Sequence, residues 1–271
     1  MRRLSSIALV VFLASGCAST GRTLPVGPTV PFPDYQVSFD RAMDQCRRVR
    51  TMQLAMGITA QAGETRLRGN LLGAVARPAS LRLVGVAPLG APGFVLVADP
   101  DSAVLVLPRD RRVVTGASAD DLLAALAGVA LGAEDFRAVL TGCIVPDPDP
   151  LGARLHENGW IAVSMDADTT AYLETVDGVP VVVAGHRPGL TVWYSAHVRG
   201  LPRRIHIEAI DTTGVLTVLT ATLSQVSINV ELSPDVFVAQ VRDDYLPMTL
   251  DQLRGTAGPL EAGSDRPTRP Q

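Results

Sequence analysis

The chain contains no lysine: all 24 basic residues are arginine, and against 27 acidic residues they leave a formal charge of -3. That absence points to a GC-rich genome rather than to a mechanism. No run of arginines is long enough to form the basic stripe that nucleic acid requires, so a nucleic-acid partner is excluded. Aromatics make up 4% of the residues and hydrophobic residues 47% of 271, so the core must be aliphatic and is large enough for one generous domain. The four histidines, His156, His186, His197 and His206, sit in separate segments without metal-ligand spacing. His156-Glu157 lacks the second histidine of a zinc-protease helix, and there is no G-x-S-x-G, no phosphate loop and no dinucleotide glycine pattern. Asp99 and Asp101, or Asp147 and Asp149, lack an EF-hand loop, and Asp-Pro alternation reads as turn or linker. The expectation is therefore a protein that is not an enzyme, with no catalytic residues, no metal and no cofactor.

What is present begins at the N-terminus. MRRLSSIALVVFLASGCAST has two arginines, a short apolar run from Ile7 to Ala14, and small residues ending in Cys17. The run is too short for a transmembrane helix and reads as a secretory signal over residues 1–16. Ending on cysteine resembles the bacterial lipobox, in which the cysteine receives a diacylglycerol group and, with a further palmitate-type chain, becomes the mature N-terminus; an ordinary signal peptide with an incidental cysteine is the alternative. Removal of residues 1–16 takes two arginines away and leaves a charge of about -5. Without a polybasic stretch, attachment to a membrane would rest on the lipids at Cys17.

Cys46 and Cys143 remain, in a compartment that allows disulfides. They form either one bridge or two buried thiols, since spacing alone does not say whether their Cα atoms meet. Residues 17–33 comprise the cysteine and a segment with Pro25, Pro28, Pro31 and Pro33, an extended tether of at most about 50 Å. Ser38 then opens a helical pattern with Phe39, Met43 and Cys46 on one stripe.

From residue 52 the period changes to two. In TRLRGNLLGAVAR, Leu67, Gly69, Leu71, Gly73 and Val75 share one face, and Arg66, Arg68 and Asn70 the other, which predicts a half-buried antiparallel strand thinned by its glycines. Further strands follow in ASLRLVGVA, GFVLVAD, SAVLVLP and RRVVTG, separated by turns too short for crossover helices. Two helices interrupt the meander. SADDLLAALAGV carries a capping arrangement at Ser118 and Asp121 and a stripe with Leu122 and Leu126; GAEDFRAVLTG carries Phe136 and Leu140 and stops at Gly142. Such stripes ordinarily mark core packing, and here they also fit a lid over a concave sheet. After PDPDP the strands resume, most cleanly in RRIHIEAID, where Ile205 and Ile207 oppose Arg204, His206 and Glu208.

Eleven or twelve strands in one sheet normally curl. The expected architecture is mainly β with a few helices, a curved antiparallel sheet forming an incomplete β-barrel closed by a helical lid. The body spans residues 34–255 as a single domain, with a disordered Gly- and Pro-rich tail at 256–271. Its cavity would be lined by Leu67, Leu71, Val75, Ile205 and Ile207 and covered by Leu122, Leu126, Phe136 and Leu140.

One stretch fits none of this. In VAPLGAPGF, Leu89 sits between Pro88 and Gly90 in a segment that has to turn, and turn tips face water. A leucine there either folds back on the core or touches something other than water. The run from Ser80 to Gly142, a strand ending in Pro-Leu-Gly, two more strands, a charged turn and two helices ending in Leu-Thr-Gly, resembles the outer-membrane lipoprotein receptors of the LolB family over residues 81–142. More widely it is similar to the LolA/LolB-like lipoprotein carriers. The resemblance implies an incomplete barrel whose cavity binds acyl chains of lipids or lipoproteins noncovalently, with Leu89 as a membrane-contact residue in lipid delivery. It also implies a monomer facing the periplasm, lipid-anchored in the outer membrane, with a periplasmic carrier protein as a partner. A structural or assembly lipoprotein of the cell envelope with the same fold and a filled core is the other expectation, and the size of the cavity separates the two.

Overall fold

The computed structural model describes residues 22–63, 65–86, 92–146, 148–211 and 213–255. Cys17, Leu89 and the 256–271 tail fall outside them. The chain starts with a short strand, β1 (Thr29–Pro31), and a helix, α1 (Gln36–Arg47). Six strands follow: β2 (Thr51–Ala62), β3 (Thr65–Ala76), β4 (Ser80–Val86), β5 (Pro92–Ala98), β6 (Ala103–Leu107) and β7 (Arg112–Ala117). Then come α2 (Ala119–Ala127) and α3 (Ala133–Thr141). The second meander is β8 (Gly152–His156), β9 (Ile161–Ser164), β10 (Thr170–Val176), β11 (Val179–Arg187), β12 (Leu190–Ser195), β13 (Arg204–Ile210) and β14 (Leu216–Ile228). A two-residue strand, β15 (Leu246–Pro247), and α4 (Leu250–Gly255) complete the described chain.

All the strands belong to one sheet in the order β1-β8-β9-β10-β11-β12-β13-β14-β2-β3-β4-β5-β6-β7-β15. Every pairing is antiparallel except β15 on β7. Fifteen strands at about 4.8 Å each would be about 67 Å wide if flat, a width at which sheets curl. Here the sheet curves into a barrel that does not close. Its centre is the long seam of β14 on β2, in register from Thr217 opposite Ala62 to Ile228 opposite Met52, with one irregularity between Ser224 and Ser227.

Alternation decides the two faces. Met52, Leu54, Met56, Ile58 and Ala60 are buried on the concave face of β2, while Gln53, Thr59 and Gln61 face outward. The hollow is filled by α1, α2 and α3, and the fully buried Phe39, Met43, Met52 and Leu122 lie in one continuous apolar core. Each such side chain removed from water stabilises the fold by about 1.5 to 3 kcal/mol. The convex face is covered in part by the segment after β14: Arg82 donates from Nη1 to the carbonyls of Val236 (3.2 Å) and Val238 (3.4 Å), and Val97, Val106 and Val113 are buried although they point outward.

Three strands escape the sequence pattern. β1 lies in the proline segment expected to run free to residue 33; Thr29 to Pro31 instead pair with His156 to Arg154, and the Phe32 N–H donates to the Ala153 carbonyl at 3.0 Å. An edge strand tolerates proline because one of its sides needs no donors. β8 (GARLH) shows no in-out alternation, and β15 is two residues long. Ser38 does not open α1, which begins at Gln36 as a continuation of the turn at Pro33–Tyr35 and has no side-chain cap. The capping arrangement of α2 forms as read: Ser118 Oγ accepts from the Asp121 N–H at 3.3 Å and donates to Asp121 Oδ2 at 2.8 Å.

Candidate functional site

Between the concave face of β2–β5, β13 and β14 and the helices α2 and α3 lies a cavity of about 70 Å³. Every residue lining it is apolar. The sheet contributes Met56, Ile58, Leu71, Leu83, Phe94, Ile205, Ile207, Leu219 and Ala221, and the helices and their connection contribute Leu123, Leu126, Ala127, Val129, Leu131, Phe136, Val139 and Leu140. The ladders bring the sheet residues together: Met56 is opposite Leu71, Ile58 opposite Ala221, Ala221 opposite Ile205, and Leu219 opposite Ile207. Glycines thin this wall as the strand pattern implied. A Cβ on Gly73 would come within 3.1 Å of Leu54 Cδ2, and one on Gly85 within 2.4 Å of Phe94 Cε1, so the Phe94 ring lies flat against bare backbone.

Of the residues singled out in the sequence, Leu71, Ile205, Ile207, Leu126, Phe136 and Leu140 line the cavity. Leu67, Val75 and Leu122 do not. Leu67 and Val75 share the face of Leu71, but four residues away in either direction the sheet is packed solid; Val75 and Leu122 are fully buried in core, and Leu67 is half-buried against it. Met56, Ile58 and Leu219 were not singled out, although the period-two burial of β2 carries the same signal as β3.

The two helices are held unequally. Cys46, at the end of α1, and Cys143, just past α3, form a disulfide with Cα atoms 6.1 Å apart, inside the range such bonds require. Tyr194 Oη, fully buried on β12, donates to the Cys143 carbonyl at 3.1 Å, and burial holds this phenol protonated, its pKa pushed far up. Gly142, at φ +91°, leaves 3.2 Å between its Cβ position and Pro202. At the start of α3, Arg187 Nη2 donates to Asp135 Oδ2 at 2.9 Å. The far end of α2 packs on β14: Gly128, at φ +70°, sits over Thr217 with its Cβ position 2.6 Å from Thr217 Oγ1.

Charge gathers elsewhere. A cleft beside the start of both helices carries Asp99, Asp101, Asp120, Glu134 and Asp135. Asp99 accepts from the Asp101 and Ser102 N–H groups at 2.9 and 2.8 Å and from Ser102 Oγ at 3.0 Å; these bonds, chiefly the one from Asp101, hold its pKa below the ordinary carboxylate value and mark it as a turn cap. Among the described residues no cluster of three or more His, Cys, Asp or Glu could hold a metal ion, and no helix is long and apolar enough to cross a membrane.

No protein-family model and no curated protein matches the chain. Solved structures do match in fold. A DUF1329 family protein from Desulfovibrio piger superposes with a TM-score of 0.51 at 14% identity, over 76% of this chain and 98% of that one. A LolA superfamily protein, NE2245 from Nitrosomonas europaea, matches with a TM-score of 0.49 at 14% identity, over 80% of this chain and all of that one. The open, strongly curved sheet with a helical pair in its hollow is the incomplete barrel with a helical lid that the strand pattern led one to expect.

Proposed function

We propose that this chain is a lipid-anchored protein of the cell envelope that holds acyl chains noncovalently between its curved sheet and the α2–α3 pair. The reading is carried by one observation, a cavity beneath the helices with no polar side chain anywhere in its lining. Such a site has nothing with which to polarise, protonate or attack a substrate, and the proposed mechanism is binding without catalysis. Hydrocarbon leaving water gains about 0.8 kcal/mol per methylene there, and a bilayer offers a similar gain, so chains can be exchanged between the two. Cys17 would carry the anchor. Ala18 after it, where aspartate retains enterobacterial lipoproteins in the inner membrane, favours the outer membrane by analogy, with the body facing the periplasm. Leu89, matched to the LolB leucine, would touch the bilayer during delivery. A periplasmic carrier would be the source of cargo.

The size of the cavity favours a second reading. An engineered cavity of about 150 Å³ takes up benzene, six carbons, so about 70 Å³ has room for about three. A structural envelope lipoprotein with a filled core fits that volume as it stands, whereas a carrier must move its helices to admit a chain. Mass spectrometry of lipids co-purified with the mature protein, together with titration of a fluorescent fatty acid, separates the readings. Stoichiometric bound lipid and saturable uptake support the carrier; a lipid-free protein that takes up no probe leaves the structural role.

A further inference from the structure

The hairpin between β13 and β14 ends in bare aliphatic surface. Ile210 and Leu216 are direct cross-strand partners on the convex face, 57% and 46% exposed, and Val215 beside them is 44% exposed. The turn that presents them is tied to itself. Asp211 Oδ1 accepts from the Thr213 and Val215 N–H groups at 2.8 and 2.9 Å and from Thr213 Oγ1 at 2.7 Å, while the Ile210 N–H donates to the Gly189 carbonyl at 2.9 Å. Three exposed aliphatic side chains on one hairpin tip form a patch that water does not favour.

The neighbours of this tip bear on what covers it. By register, the same end of the adjoining strands carries the β2–β3 turn, where Ala62 pairs with Thr65, and the paired residues Val86 and Pro92 that flank residues 87–91. Thr217, one residue beyond Leu216, packs against the Gly128 end of α2 on the opposite face of the sheet. Arg66 and Arg68 are exposed on the convex face of β3, two strands from Leu216. The tip therefore stands beside the Gly128 end of α2, with cations nearby.

Chain length selects the occupant. Arg22 lies near His206 on the convex face of β13, and Thr29 is fixed opposite His156 on β8. Five strand spacings at about 4.8 Å separate β13 from β8, and the seven residues between Arg22 and Thr29, with a bend at Gly27, lead the chain from the neighbourhood of His206 to the β8 edge. Cys17 is five residues before Arg22, within at most about 18 Å of it. His206 is four residues from Ile210 along β13, about 14 Å. An anchor on Cys17 can thus lie level with the hairpin tip.

We infer that the β13–β14 tip, through Ile210, Val215 and Leu216, is a membrane-inserting element that docks the body on the bilayer holding Cys17 and turns the cavity's α2 end toward that bilayer. The inference rests on the anchoring reading above. It is tested with the full mature lipoprotein in phosphatidylcholine–phosphatidylglycerol vesicles, comparing Leu216→Trp and Ile210→Trp with Val198→Trp, an exposed position (47%) in the β12–β13 connection. Quenching by phosphatidylcholine brominated in its acyl chains is read against the unsubstituted protein. The expected result is at least threefold stronger quenching and a blue-shifted emission at 216 and 210, with little change at 198. A protein that floats with the vesicles but leaves 216 and 210 unquenched overturns the inference alone. So does a blue shift that follows protein concentration without vesicles, because a second copy is then the occupant. A protein that does not float at all overturns the anchoring reading and this inference with it.

Discussion

If acyl chains enter beneath α2, fastening the end of α2 to the sheet must stop them. The structure supplies the site: the Cβ position of Gly128 lies 3.4 Å from Thr217 Cβ, at the short edge of the 3.5 to 4.5 Å that disulfides span. Gly128→Cys with Thr217→Cys also removes the Thr217 hydroxyl, the atom that would otherwise clash at 2.6 Å. An L-residue at φ +70° costs about 1 to 2 kcal/mol. The bridge closes a loop of 89 residues, the difference between 217 and 128, for which chain entropy contributes about 4 to 5 kcal/mol. The reduced variant carries the same backbone strain, so the oxidised variant is expected to be about 4 to 5 kcal/mol more stable to urea than its reduced form and about 2 to 4 kcal/mol more stable than wild type. Its cavity keeps about 70 Å³, room for about three carbons, so uptake of a fluorescent fatty acid should fall at least tenfold on oxidation and return on mild reduction. Wild-type protein under the same reductant controls for the Cys46–Cys143 bond, whose residues are 3% and 1% exposed. Stabilisation without loss of uptake would refute the reasoning, because chains would then be entering by a route that leaves α2 on β14.

Three further outcomes are expected. Cys46→Ser, opening a loop of 97 residues, should lower stability to urea by about 2 to 5 kcal/mol; a midpoint and slope equal to wild type would mean that Tyr194 and the packing of α1 hold the end of α3 unaided. Gly85→Ala puts a methyl 2.4 Å from the Phe94 ring and should cost about 1 to 3 kcal/mol while weakening fatty-acid uptake, since the displaced ring borders the cavity; unchanged uptake would show that chains do not pass Phe94. His197 and His206 are held below the ordinary imidazole pKa, each chiefly by burial, with the Arg22 charge adding to the effect at His206. The unfolded chain then binds the proton more readily than the folded one. Stability to urea should be level above pH 6.5 and fall as the pH drops from there through the depressed folded-state values, with a shallower fall in His206→Gln. A stability profile that rises on acidification over that range would contradict the sign.

Local chemistry made much of this molecule legible. The alternation around Leu71 and in RRIHIEAID, the Ser118 cap and the Gly142 stop each appear as read, because each depends on neighbours within a few residues. The β1 strand was hidden by its prolines and β8 by a segment exposed unevenly on both faces. The cavity was legible in kind and not in extent. Leu67, Leu71 and Val75 are equivalent on the strand, and what separates them is where Leu126 and Phe136 of the helices cover the sheet, a matter of packing between distant segments. The disulfide was undecided for the same reason, since 97 residues intervene between its cysteines.

The helical pair owes its place in the hollow to topology. β7 and β8 are consecutive in the chain, yet they lie near opposite ends of the sheet, because the two meanders join through β14 and β2 and not through β7 and β8. The connection between them must travel from one end of the sheet to the other, and on a curled sheet the short path runs across the hollow. Residues 118–146 make that crossing as two nine-residue helices, whose apolar stripes fall on the concave face. The disulfide and Tyr194 fix the crossing where it leaves the hollow at Cys143, while Gly128 packs against Thr217 of β14. The disulfide, Tyr194 and the Asp135–Arg187 pair hold α3, and the turn at Gly128 between the two helices, packed over the Thr217 end of β14, is where the cavity is expected to widen at least cost. That is also the end of β14 beside which Ile210, Val215 and Leu216 stand exposed.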